Sequence, residues 1–77
     1  MLQIKLFDRK TCDKIYQTFY PNDRSICGLY LAGKQLFDNW HCVKSIENYT
    51  SEGTVFEIET GRFLIPKYFV NETRIIS

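Results

Sequence analysis

Apolar and polar residues alternate with a period of two over much of this chain. Leu2, Ile4 and Leu6 alternate with Gln3 and Lys5, which predicts a first strand. The clearest run lies in residues 54–66. Val55, Phe56, Glu57, Ile58 and Glu59 alternate, Thr60 and Gly61 can turn, and residues 62–66 return. A two-residue loop at Thr60 and Gly61 sets Ile58 opposite Phe63 and Phe56 opposite Ile65. Phe56, Ile58, Phe63 and Ile65 then share one apolar face, and Glu59 meets Arg62 on the other. Slipping one strand by a single residue sets Phe63 and Ile65 opposite glutamates, so the facing is well specified.

Residues 40–48 are rich in strand formers and read as one strand, joined to the next by a polar turn over residues 49–53. Their parity is ambiguous, because Cys42 and Ile46 share a face with Lys44 while Val43 opposes them. Residues 26–31 read as a further strand, Ala32, Gly33 and Lys34 as a turn, and residues 35–37 as a short return. Residues 11–20 allow two readings. Cys12, Ile15, Tyr16 and Phe19 fall at helical spacing, with Thr11 as N-cap and Pro21 as a stop. The β-branched and aromatic content and the short distance from the first strand favour a strand instead. The strand is the preferred reading, with an α+β fold and a helix at about residues 11–20 as the alternative.

Pro66 opens a single helical turn near residues 67–70, and a closing strand follows. Over residues 61–74 an extended run, a proline, an aromatic and a valine precede that last strand, which resembles the end of the Src-homology-3-like barrel. The resemblance implies shape only. The acidic loop residues and paired tryptophans of that family's proline-peptide groove are not evident, and Trp40 stands alone. The expected fold is mostly β: a small, strongly bent antiparallel sheet or a barrel of about five or six strands.

At 77 residues the chain reads as one domain, residues 1–77, with a small core. Hydrophobic residues at 44% and charged residues at 25% exclude a disordered chain. Ten Lys and Arg against nine Asp and Glu leave a net charge of +1, which argues against a general polyanion binder. The first 44 residues carry +3 and the last 33 carry −2, a mild asymmetry. No apolar run is long enough for a membrane helix, and no export signal leads the chain. Cys12, Cys27 and Cys42 form an odd, widely spaced set, which suggests reduced thiols and a cytoplasmic location.

No catalytic residues, metal site or cofactor are expected. His41 and Cys42 adjoin, but neighbouring strand residues point to opposite faces, so Cys42 is read as buried and His41 as exposed. Glu57 and Glu59 share a strand face at about 6.5–7 Å, the separation of some acid–base pairs, and read as solvated surface charge. The twelve aromatics are the informative group. Tyrosine, tryptophan and arginine favour contact surfaces, so Trp40, Tyr30, Tyr49, Tyr68, Arg62 and Lys67 are the candidate partner-binding residues. The expected function is that of a non-enzymatic intracellular protein occupying a surface on another protein. An inhibitor or adaptor fits, as does a phage or mobile-element antagonist of host machinery. The alternative is a small β-barrel that stacks single-stranded RNA or DNA on its aromatics. Strand edges, above all at Ile75 and Ile76, could also pair with another copy.

Overall fold

The computed structural model describes residues 1–48 and 53–76. Its elements in chain order are β1 (Leu2–Leu6), α1 (Arg9–Phe19), α2 (Cys27–Leu31), β2 (Trp40–Cys42), β3 (Ser45–Asn48), β4 (Gly53–Ile58), β5 (Gly61–Pro66) and β6 (Val70–Ile75). Single 3-10 turns occupy Lys34–Leu36 and Lys67–Phe69. The strands form two antiparallel sheets of three, ordered β2-β1-β6 and β3-β4-β5. Strand outweighs helix, 42% to 31%, so the chain is mostly β, but the described residues form no closed barrel.

The expected continuous strand over residues 40–48 is in fact two. The chain leaves the first sheet after Cys42 and enters the second at Ser45. Val43 N–H still donates to Leu2 O at 2.9 Å, whereas Lys44 N–H donates to Glu57 O at 2.7 Å. Residues 43–44 therefore carry the chain from one ladder to the other. That crossing is the physical source of the parity ambiguity.

The hairpin of β4 and β5 has the expected face and a different turn. Phe56 pairs with Phe63, Glu57 with Arg62 and Ile58 with Gly61, so Glu59 and Thr60 form the loop. The register differs from expectation by two residues, and a slip of two preserves facing. Gly61 holds φ at +146°, a backbone conformation that side chains rarely tolerate, which places the glycine after the loop rather than within it. Ile58 and Ile65 are buried as expected, while Phe56 and Phe63 are half-buried against the core.

Residues 11–19 lie in a helix, not a strand; it starts at Arg9 with Asp8, not Thr11, as N-cap, and Tyr20 is its C-cap. Asp8 O accepts the Cys12 N–H at 3.0 Å, and Tyr20 N–H closes the last turn on Tyr16 O at 2.8 Å. Pro21, without an N–H, does not continue the helix. The helix buries Cys12 and sets Ile15 and Tyr16 against the core. Its apolar spacing outweighs the modest helix propensity of its residues. Residues 26–31, expected as a strand, likewise hold α2, which buries Leu29 and packs on β5. The return expected at residues 35–37 is a 3-10 turn that buries Leu36.

The core fills the space between the two sheets and beneath the helices. Ile4 and Leu6 from β1, Leu29 from α2, Ile58 and Ile65 from the second sheet, and Phe69 are its fully buried large side chains, together with Leu36. The short turn at Lys67–Phe69, expected from Pro66, drives Phe69 into this core and leaves Tyr68 outside. Among the described residues, no helix is long and apolar enough to cross a membrane.

Candidate functional site

The inner faces of the two sheets do not close on each other along their whole length. Between them lies a groove of about 410 Å³, open on the side of β3 and β6. Leu2 and Ile4 of β1, Phe56 of β4 and Ile65 of β5 line it, with Ile46 and Val70 contributed by the edge strands. Lys67 is the only charged residue lining it among the described residues. Ile46 is 52% exposed at this rim, although strand pairing puts its side chain on the same face as Phe56. A large aliphatic side chain on an open edge strand is available for contact.

Lys67 also links the groove to an aromatic patch. Its Nζ lies 5.8 Å from the centre of the Tyr68 ring, and Tyr68 stacks on Phe19 with centroids 4.7 Å apart. Tyr68 is 46% exposed and Phe19 is exposed as well. Groove, cation and aromatic pair thus form neighbouring parts of one surface.

No protein family, curated protein or solved structure matches the chain.

The five expected contact residues that are described are not brought together. Lys67 and Tyr68 adjoin the groove. Trp40 sits on the outer face of the first sheet, where the Arg74 guanidinium lies 3.9 Å from its ring centre and Lys5 Nζ lies 6.0 Å away. One face of the indole is therefore already covered by a cation. Arg62 is on the outer face of the second sheet, ion-paired with Glu47. Tyr30 packs edge-on against Tyr16 and Phe69 and beside Phe37, with Arg9 over its ring. Its hydroxyl is shielded from solvent and makes no close hydrogen bond among the described residues, although the Asp13 carboxylate lies near it. Burial, then the nearby Asp13 carboxylate, pushes the phenol above its ordinary range. Tyr30 is half-buried, packed against the core. Tyr49 lies outside the described residues.

His41 and Cys42 reverse the expected burial. His41 is 5% exposed and points inward with Ile4, whereas Cys42 is half-buried on the outer face. His41 Nδ1 donates to Glu59 Oε1 at 2.6 Å, and Nε2 faces Leu36 O at 2.9 Å. A ring carrying both N–H groups donates to both acceptors, whereas a neutral ring satisfies one. Glu59 Oε2 also accepts the Cys42 N–H at 3.0 Å. Glu59 is thus a clamp between the tip of the second sheet and β2, while its side chain stays 44% exposed as expected of a surface charge. The sequence signal was a single histidine set two residues after a turn, which by itself names no partner.

Two of the three thiols, Cys12 and Cys42, are not placed as activated nucleophiles among the described residues, and Cys27 is exposed. Cys12 is fully buried, and desolvation, reinforced by Asp8 and Asp13, pushes its thiol up to about 12. A thiol held that high is a poor nucleophile at neutral pH. Cys42 and His41 project to opposite faces of β2, so they do not form a nucleophile–base pair.

Proposed function

We propose that this chain is a non-enzymatic binding protein, an inhibitor or adaptor, that seats an apolar segment of a partner protein in the groove between its sheets. A carboxylate on that segment meets Lys67, and the exposed Phe19 and Tyr68 pair extends the contact. The apolar groove with one cation at its edge carries this reading. Its volume falls among those of sites that hold ligands, about 300–1,000 Å³, and its chemistry suits hydrophobic anchoring with one orienting charge. The sheet orders, the crossing at residues 43–44 and the 3-10 turn before β6 support a Src-homology-3-like arrangement left open on the β3 and β6 side.

The rival reading, single-strand stacking on aromatics, meets an obstacle in the same geometry. Arg74 covers one face of Trp40, Tyr30 is half-buried against the core with Arg9 over its ring, and Tyr68 already stacks on Phe19. These rings do not form a continuous platform. Affinity capture with the wild-type protein, Ile46→Asp, Lys67→Glu and Arg62→Ala separates the two. The groove reading expects a stoichiometric protein partner kept by Arg62→Ala and lost by the other two variants. Steeply salt-dependent oligonucleotide binding that disappears in Trp40→Ala would overturn it.

A further inference from the structure

The strand β6 is an open template. It forms one edge of the first sheet, and residues 71–75 are all exposed. Its hydrogen-bond phase is set by its pairing with β1. Ile76 N–H donates to Met1 O at 2.8 Å, and Ile76 O accepts from Met1 N in return. In an antiparallel ladder such mutually bonded pairs alternate with unbonded ones. Arg74 opposite Gln3 and Glu72 opposite Lys5 therefore turn their backbone groups toward β1. Thr73 and Ile75 turn theirs outward, toward the free edge. Long edges of this kind are ordinarily blocked by proline, a bulge or a covering element. The bulge in β6 lies only at its start, between the pairs of Lys5 and Leu6.

We propose that two copies of this chain pair antiparallel through β6, with the two-fold axis at Thr73. Three registers centre on the exposed middle of the strand and keep outward-facing backbone groups opposite one another. A centre at Glu72 sets Glu72 opposite its own copy, and a centre at Arg74 sets Arg74 opposite its own copy. Both juxtapose like charges. A centre at Thr73 sets Glu72 opposite Arg74 of the second copy, and the converse, so two opposite-charge pairs form by symmetry. Thr73 then exchanges both backbone hydrogen bonds with its own counterpart. Ile75, 82% exposed in one copy, lies opposite Asn71 of the other. The Glu72 side chain has no hydrogen bond or ion pair among the described residues of its own chain. Arg74 is held on that same face by its Nε–H donated to Gln3 Oε1 at 2.7 Å. The result is one continuous six-stranded sheet, β2-β1-β6 followed by its symmetry copy. Thr73 also lines the groove, so the paired edge borders the surface proposed for partner binding, while Phe56, Ile65 and Ile46 of the groove belong to the other sheet.

Sedimentation equilibrium on the purified wild-type protein, Glu72→Arg, Arg74→Glu and Thr73→Pro tests the register directly, with circular dichroism confirming that each is folded. The wild type is expected to dimerise. Each single charge reversal sets like charges across the axis and should weaken dimerisation at least ~10-fold. Mixed in equal amounts, the two reversed proteins restore opposite charges at every facing position and should form a heterodimer. Thr73→Pro removes the outward N–H without touching the β1 ladder, so it should give a folded monomer. A monomeric wild type at high concentration would overturn the proposal. So would charge-reversed variants that dimerise as tightly as the wild type, or a reversed pair that does not associate when mixed.

Discussion

Three side chains show how burial assigns roles that composition leaves open. Burial of Glu59 acts to raise its pKa. The hydrogen bonds from His41, from the backbone N–H groups of Glu59 and Cys42, and the His41 charge together outweigh it and lower the carboxyl below its ordinary value of 4.5. A carboxyl lowered on folding contributes stability that is fully present above the unfolded value and is lost as pH falls through the folded one. The urea midpoint of the wild type should therefore drop on acidification below the ordinary carboxylate range. Glu59→Gln should start lower at neutral pH and show a flatter dependence. Parallel profiles would remove Glu59 from the clamp. Tyr30 makes the opposite case. Its hydroxyl is shielded from solvent with no close hydrogen bond among the described residues, so Tyr30→Phe should leave stability unchanged or raise it by up to about 1 kcal/mol. A loss of more than that amount in thermal or urea unfolding would mean the hydroxyl is bonded. Trp40, the lone indole, spends one face on Arg74, which ties together β2 and β6 across β1.

At the level of elements, the strands were legible where alternation was long and faced a core. The apolar face of the β4–β5 hairpin follows from Phe56, Ile58, Phe63 and Ile65, and the slip of two residues leaves it intact. The turn was misplaced because Thr60 and Gly61 look like a loop dipeptide, whereas Gly61 is needed just after it. The depth of the face differs from residue to residue, and that can be measured. Phe69→Ala, which empties a fully buried position, should cost about 3–5 kcal/mol. Phe63→Ala, at a half-buried position, should cost less, about 1–2 kcal/mol. Equal losses in chemical denaturation would mean that the core is centred elsewhere. The helices were less legible. In α1 the aromatic and β-branched residues argued for a strand, but Cys12, Ile15 and Tyr16 gain a common core-facing stripe only as a helix. In α2 the apolar run was too short for its period to distinguish helix from strand.

For the whole molecule, two three-stranded sheets enclose a core on one side and leave a groove on the other. Of the expected contact residues, Lys67 lines that groove and Tyr68 lies beside Lys67, because Pro66 and the turn after it were legible. Ile46 and Phe56 were not singled out, since their role depends on how two sheets diverge, which no local pattern encodes. The other described candidates are dispersed: Tyr30 half-buried against the core, Trp40 and Arg62 on the two outer faces. The central claim, that the groove is the working surface, is tested most directly by site-specific photo-crosslinking in cells producing the protein. A benzophenone amino acid replaces Ile46 at the groove rim in one variant and Arg62 on the outer face in another. The account predicts a discrete crosslinked partner from position 46 and none from position 62. The same adduct from position 62, with none from position 46, would contradict it.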